Sequence, residues 1–592
     1  MKKSTVLAGI VVSTVILSMI LAACGSGGTP TTSGTQPTQT TGQQPTQPVT
    51  TATSEKPQYG GTLTITGGDP LSWDQYYTVA INTNALGPTG NVLIEPDWMK
   101  GPAGSKETTW TRGAMGRYSL LTGGLATSWD MPDGQTIVYH LRKGVRFQNR
   151  PPVNGRELTA DDVVWNLQRY NTAPSNTTKP EQKPTSFKAT DKYTVEIKVP
   201  TAVQGSLLYG LGGSMAAATN YFWPHEVIDQ YGDMKDWKHV IGTGPFILSD
   251  YVNGSSITYI RNPDFWAKDP LHPENQVPYI DKLQTLIITD TSTMLSALRT
   301  GKIDIQGLGR AQGVGWEDAA LLMKQTKLEY IKKVADLIWL WGRLDKDNLP
   351  FKDINVRRAM NMAIDRDLLV KTYYGGTATA YTAPWPPTPD YAPIYTPLEE
   401  QPPEVQELFT YNPDKAKKLL TDAGYPSGFK TNVVCGTTSV DFLSLIREML
   451  LKVNIDMEIK PLEPGAMQGV MAGRTHEQMI YSLFLLSTPT NMNWVRSELQ
   501  DDRAMYENPY TREVYNKVQS LIGKDEAQIN QLMKDVSKFI LAEVIGIMLP
   551  QTYNYTMWWP WLKGYHGEGF EDAGFATRYM WIDQSVKKSM SP

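Results

Sequence analysis

Residues Leu125–Tyr170 read LATSWDMPDGQTIVYHLRKGVRFQNRPPVNGRELTADDVVWNLQRY, and this stretch decides the fold class. Its first half has a hairpin pattern: Ala126–Met131, a turn at Pro132-Asp133-Gly134, then Thr136–Arg142, where Ile137, Tyr139 and Leu141 alternate with polar or exposure-tolerant neighbours. Proline suits an early turn position and glycine the left-handed one. Beyond a basic loop, Thr159-Ala160-Asp161-Asp162 is a helix start. The Thr159 hydroxyl is placed to cap an orphan amide, and acidic residues in the first turn favour the helix dipole. Val163, Val164, Leu167 and Tyr170 then share one helical face. These local rules predict a hairpin, a loop and a helix inside an α/β region.

Working outward, Tyr59–Ile65 is a short alternating strand, and the Gly-, Pro- and Asn-rich run from Asp69 to Trp110 predicts no regular element. A polar loop over 172–185 leads to a strand at Tyr193–Val199. Gly242-Thr243-Gly244-Pro245-Phe246 is not followed by Gly-Lys-Ser/Thr, so it reads as a tight turn feeding a strand rather than a phosphate loop. Ile257–Arg261 is a further strand. Leu286–Thr289, a helix over Thr291–Thr300 stopped by Gly301, and Ile303–Ile305 predict one strand–helix–strand unit. Thr431–Cys435, a helix near Val440–Lys452 and the alternating Ile455–Ile459 predict a second. Two such units far apart predict two α/β lobes. Between them, Val356, Ala359, Met360 and Ala363 form a helical stripe, Asp365 is set to cap the next helix, and Gly375-Gly376 to end it. Asn412-Pro413-Asp414 opens another helix that Gly424 stops.

The N-terminus begins with Lys2 and Lys3, then an apolar run from Val6 to Ala23 that ends Leu21-Ala22-Ala23-Cys24. That order describes a secretory signal peptide; an uncleaved anchor is the alternative, since the run is near the lower limit for spanning a bilayer. Gly25 to about Lys56 is almost wholly Thr, Gln, Gly, Pro and Ser, too poor in apolar area to order itself, and is expected to be a tether. Loss of residues 1–23 moves the formal charge from −4 to −6, with no basic block, which excludes nucleic acid as the expected partner. Only Cys435 remains after Cys24, so no disulfide framework is expected, and Cys435 reads as a buried strand residue. The histidines, His140, His225, His239, His272, His476 and His566, are scattered with no ligand spacing, so no metal is expected.

Four segments carry a resemblance to family 5 extracytoplasmic solute-binding proteins, the dipeptide-, oligopeptide- and nickel-type receptors of ABC importers. They are LA-x-SW…DG…Y-x-HLRKGV-x-F…TADDV from Leu125, GTGPF…I-x-Y-x-RNPDFW from Gly242, PF…VRRAMNMAIDRD from Pro350, and YNPDKAKKLL-x-DAGYP from Tyr411. Gly60-Gly61-Thr62-Leu63 is similar to the family's opening strand, and Leu-Ala-Ala-Cys24 resembles a bacterial lipobox, with Cys24 lipidated. The resemblance implies an α/β, two-lobed periplasmic-binding-protein fold of the large, peptide-binding type. Residues 57–85, 236–335 and 549–592 would form lobe I, 86–235 its extra domain and 336–548 lobe II. It also implies a monomer outside the cytoplasmic membrane, anchored by lipid, that needs no cofactor and hands a small solute to permease subunits.

A receptor of this kind holds its solute in the inter-lobe cleft and closes by hinge motion. Aromatic and polar residues near the matched segments are the candidates: Trp339, Trp341, Trp385, Ser482, Phe484, Leu485, Trp494 and Tyr553. Core packing is the competing role for each Trp. Peptide-binding relatives carry a Gly-Trp-x-x-Asp-x-x-Asp-Pro-like segment whose first Asp meets the peptide amino group. Here the comparable run is Tyr481–Pro489, with Leu485 and Thr488 at the acidic positions. A buried ammonium without a carboxylate is costly, which sets the peptide expectation against an oligosaccharide alternative in which Trp faces stack on sugar. A secreted α/β hydrolase is the rival class. Its nearest motif, Gly212-Gly213-Ser214-Met215-Ala216, lacks the last glycine of a nucleophile elbow, so no catalytic residue is expected.

Overall fold

The computed structural model describes residues 56–592 apart from 77–82, 111–116, 175, 177–179, 181–182, 201–219, 310, 312, 336, 383, 485–488, 500, 570–572 and 591–592. Cys24, the leader and most of the tether lie outside the described residues, as do Gly212–Ala216, Leu485 and Thr488. The hairpin forms as expected, strands Ala126–Asp130 and Thr136–Leu141 pairing antiparallel. Ile137, Tyr139 and Leu141 face the core. The turn differs from expectation: Gly134 is not left-handed. Asp133 closes the loop instead, its carboxylate accepting from the Gln135 amide at 2.7 Å and the Thr136 hydroxyl at 2.9 Å. Strands Thr194–Lys198 and Ser186–Asp191 extend this into a four-stranded antiparallel sheet.

Helix Ala160–Thr172 packs on that sheet with Val163 and Leu167 fully buried and Val164 and Tyr170 at the margin. At its start, the Asp162 carboxylate accepts the Thr159 amide at 2.9 Å and is gripped by Arg156 at 2.6 and 2.8 Å. The acid at the third helical position therefore does much of the capping.

A second sheet runs Thr62–Gly67, Lys282–Ile287, Ser256–Arg261, Phe246–Val252, with the first pair parallel. The Gly-Thr-Gly-Pro-Phe segment feeds its last strand, but the glycines serve close approach rather than turn geometry. A Cβ on Gly242 would lie 2.0 Å from the Thr89 carbonyl oxygen, and one on Gly244 2.4 Å from the Thr89 carbonyl carbon. The first strand–helix–strand unit is also corrected. Lys282–Ile287 and Ile305–Gln306 flank helix Thr291–Arg299, yet Ile305–Gln306 joins a separate three-stranded sheet with Tyr553–Trp558 and Glu329–Val334. Buried Asp304 binds the two regions: it accepts the Thr64 amide and the Trp561 indole, both at 2.7 Å.

The second unit is a true parallel pair. Phe429–Gly436 and Ile455–Leu462 flank helix Val440–Leu451 in a five-stranded sheet completed by Met479–Phe484, Leu337–Gly342 and Ile547–Met548. Cys435 is fully buried within it. Asp365 caps helix Arg366–Thr372 through the Leu368 amide, as expected. Next to it, buried Arg366 donates to the carbonyls of Met548, Asn361 and Ile364, so the basic residues of this motif fasten backbone, not solute.

The chain passes between the three- and five-stranded sheets twice, between Val334 and Leu337 and between Met548 and Tyr553. The crossings are tied together: the Ala335 amide donates to Thr552 at 3.1 Å, and the Gln551 side chain donates to the Ala335 carbonyl at 2.7 Å. This is the two-lobed fold. Among the described residues, no helix is long and apolar enough to cross a membrane.

His476 is the most deeply buried of the six histidines. Desolvation, with Arg343 and Arg503 nearby, lowers its pKa to about 4. The unfolded chain therefore binds a proton there first as pH falls. The stability present above the ordinary value near 6.5 is lost as pH drops toward 4, on the order of 3 kcal/mol for this group. Denaturant titrations of the protein and its His476→Phe variant should diverge over that window, with the variant losing less; parallel curves would refute the assignment.

Candidate functional site

The site begins with a loop rich in proline. Pro386-Pro387-Thr388-Pro389 cannot continue a helix or an inner strand, and it delivers Asp390 to the boundary of the five-stranded body. Trp385 holds this loop: its indole donates to the Ser537 hydroxyl at 2.8 Å, its ring stacks on Tyr391 and meets Trp494 edge-on. Asp390 is 3% exposed and reaches segment 108–109. It accepts from the Thr108 hydroxyl at 2.5 Å, the Thr109 amide at 2.9 Å and the Thr109 hydroxyl.

A second carboxylate makes the same kind of contact. Glu526 opens helix Glu526–Glu543, which Asp525 caps. It accepts from Arg117 Nε at 3.1 Å and from the Ser119 amide at 3.2 Å. Gly523, just before it, has φ +75°, and a Cβ there would meet Met131 Cε at 2.4 Å. The conformation favours glycine, whereas the Met131 methyl, at the end of a flexible side chain, could move aside.

These contacts border an open-mouthed pocket of about 170 Å³. Tyr118 and Ser119 wall it from the hairpin side. Ile394, Pro489, Thr490, Ile522, Ile529 and Met533 wall it from the other. Burial pushes the Tyr118 phenol up from its ordinary range, keeping it neutral and a hydrogen-bond donor.

The sequence candidates divide. Trp339 and Trp341 are 0% exposed, side by side on strand Leu337–Gly342. The Trp341 indole donates to the Ser482 carbonyl at 3.1 Å, and Ser482 is itself buried, its hydroxyl on Met471 sulfur at 3.3 Å. Neither ring offers a face to a solute in this state. Trp385 and Trp494 stand behind the cavity as support for the Asp390 loop. Tyr553 lies at the crossing, its hydroxyl 2.5 Å from that of Thr379 and Lys332 over its ring at 3.7 Å. Phe484 pairs with Leu337 through its backbone, and its side chain is outside the described residues. Asp390, Glu526 and Arg117 were missed. Trp385 was the one signal near them, five residues from Asp390. Among the described residues no group of three or more His, Cys, Asp or Glu is placed to hold a metal.

Two lobes, two crossings and a cavity walled from both sides constitute receptor geometry. Residues 121–497 match the family described as bacterial extracellular solute-binding proteins, family 5. The chain belongs to this family. Heme-binding protein A of Haemophilus influenzae is 27% identical over 324 residues, 52% of this chain and only 54% of that protein. Glutathione-binding protein GsiB of Escherichia coli is 25% identical over 476 residues, 76% and 85% of the two chains. In fold, the chain is similar to DppA of Helicobacter pylori in complex with peptide STSA (TM-score 0.67, 24% identity, covering 89% of this chain and 99% of that one). It is likewise similar to AppA of Bacillus subtilis in complex with a nonapeptide (0.65, 20%, 89% and 100%). Family 5 proteins bind solutes and are not enzymes, so this chain is a solute-binding protein.

Hydrogen bonds to a charged acceptor contribute about 1.5–3 kcal/mol each. Asp390→Ala should therefore speed exchange of the Thr109 amide by roughly 10- to 100-fold, leaving amides of the distant sheet at Thr62–Gly67 unchanged. Hydrogen exchange by mass spectrometry reads both regions, and an unaltered Thr109 peptide would refute the bridge.

Proposed function

We propose that this family 5 protein is a lipid-anchored receptor that captures a peptide or peptide-like solute between its lobes and delivers it to an ABC import permease. The observation that carries the proposal is the cavity itself, walled by the hairpin side and the five-stranded body together. A solute seated there touches both walls only when they are close, so binding favours closure by differential affinity for the two states. We assign 57–85, 236–335 and 549–592 to lobe I, 86–235 to its extra domain and 336–548 to lobe II. The two crossings fall at those borders. Gln551, Thr552 and Ala335 form the hinge, and cleavage and lipidation at Cys24 anchor the chain at the outer face of the cytoplasmic membrane.

Peptide recognition is supported by the peptide complexes of similar fold and by the glutathione-binding relative. Stacking on sugar loses its residues, because Trp339, Trp341 and Trp385 are each at most 1% exposed.

A thermal-shift screen with di- to pentapeptides, oligosaccharides and Ni²⁺ complexes tests the proposal, since a ligand specific to the folded state raises Tm by mass action. Peptides should raise Tm; a response confined to sugars or nickel would overturn the solute class.

A further inference from the structure

The sequence holds two Asn-Gly pairs, and both sit in the same tripeptide, Val153-Asn154-Gly155 and Val252-Asn253-Gly254. A glycine after asparagine leaves the backbone nitrogen unshielded by any Cβ, so the carboxamide before it is open to attack by that nitrogen. Both asparagines are exposed. Sequence and exposure therefore rank the two sites alike, and the fold separates them.

Asn253-Gly254 turns the hairpin between Phe246–Val252 and Ser256–Arg261, closed by the Ser255 amide on the Val252 carbonyl at 3.0 Å. Asp69 clamps this turn. One of its carboxylate oxygens accepts both the Gly254 amide at 2.9 Å and the Asn253 carboxamide at 3.0 Å, and the other accepts the Tyr251 hydroxyl at 2.6 Å. The same carboxylate thus fixes nitrogen and carboxamide, and its charge opposes loss of the Gly254 amide proton. At the other pair, Asn154 (φ +52°) and Gly155 (φ +71°) are both left-handed, the arrangement of a two-residue I′ turn. The turn closes through a long bond, 3.4 Å from the Arg156 amide to the Val153 carbonyl. Among the described residues the Gly155 amide donates to no group. The Asn154 carboxamide makes one exposed hydrogen bond, to the Pro152 carbonyl at 3.2 Å. Arg146 donates to the Gly155 carbonyl at 2.9 Å, so a positive charge sits beside the nitrogen that must lose its proton and favours that loss.

We propose that Asn154 is a site of spontaneous deamidation, with water as the co-reactant, and that Asp69 protects Asn253 from the same reaction. Hydroxide removes the Gly155 amide proton, and the nitrogen bonds to Asn154 Cγ. The Cγ–Nδ2 bond breaks, and Nδ2 leaves as ammonia with a proton from water, which restores the hydroxide. Water then opens the cyclic imide at either carbonyl–nitrogen bond. The product is an aspartyl residue, or an isoaspartyl residue whose main chain runs through Cβ. Either adds a negative charge to the turn that Arg146 contacts, and the second also lengthens that turn by one backbone atom.

Peptide mapping by mass spectrometry, on the whole chain held at mildly alkaline pH, tests the proposal. In the folded protein Asn154 should convert at least about tenfold faster than Asn253, the factor that one hydrogen bond to a charged group supplies. In denaturant the two Val-Asn-Gly sites should converge to similar rates. Asp69→Ala should raise the Asn253 rate toward that of Asn154, and Arg146→Gln should slow Asn154 by roughly two- to fivefold while leaving Asn253 unchanged. Comparing folded with denatured chain requires neither variant to fold. Equal rates in the folded protein, a faster Asn253, or a difference that persists unchanged in denaturant would overturn the proposal. An Asn253 rate unmoved by Asp69→Ala would overturn the protective role of that carboxylate.

Discussion

Covalent continuity between the two sheet systems is limited to two crossings, and Gln551 ties them into one. Its side chain donates to the Ala335 carbonyl in the first crossing and to the Thr552 carbonyl in its own. Its backbone exchanges both hydrogen bonds with Thr379. A hinge must absorb rotation without unfolding the sheets beside it. The arrangement meets that need by ending Glu329–Val334 and Ile547–Met548 at the joint and beginning Leu337–Gly342 and Tyr553–Trp558 just beyond it. Arg366 reinforces one side, fixing Met548 from a helix of the five-stranded body.

In the function we propose, the regions far from this joint meet or part as units. Contacts at the open end, Asp390 on 108–109 and Glu526 on Arg117 and Ser119, are polar and few, whereas each body's interior is apolar and extensive. A few charge-assisted hydrogen bonds contribute only several kcal/mol, a scale that solute binding can match. Apolar interiors of this size do not exchange partners at such energies.

Local rules made much of this fold legible. The hairpin at Ala126–Leu141, the caps at Asp365 and Asn412 and the parallel pair around Val440–Leu451 each follow from neighbours in sequence. Misreadings arose where a distant or unexpected group took over. Asp133 closed a turn credited to Gly134. Gly242 and Gly244 answered to Thr89, far away in the chain. Ile305–Gln306 was drawn to Tyr553–Trp558 rather than to the strand before its helix. The site was harder still. Asp390 and Thr109 are separated by 281 positions and Arg117 and Glu526 by 409, so no spacing rule relates them. Abundant tryptophan pointed to ligand stacking, yet Trp339 and Trp341 are buried against each other, and Trp385 lies on the loop that carries Asp390.

The central claim is that solute binding brings the sheet region around Ala126–Asp191 and the five-stranded body together. The most direct measurement is the distance between spin labels placed at exposed positions 188 and 528, in protein with Cys24→Ser, by pulsed electron paramagnetic resonance. The account predicts a broad or two-peaked distribution without solute that collapses to its short component when a Tm-raising peptide is added. A single distribution that the bound peptide leaves unchanged would contradict it.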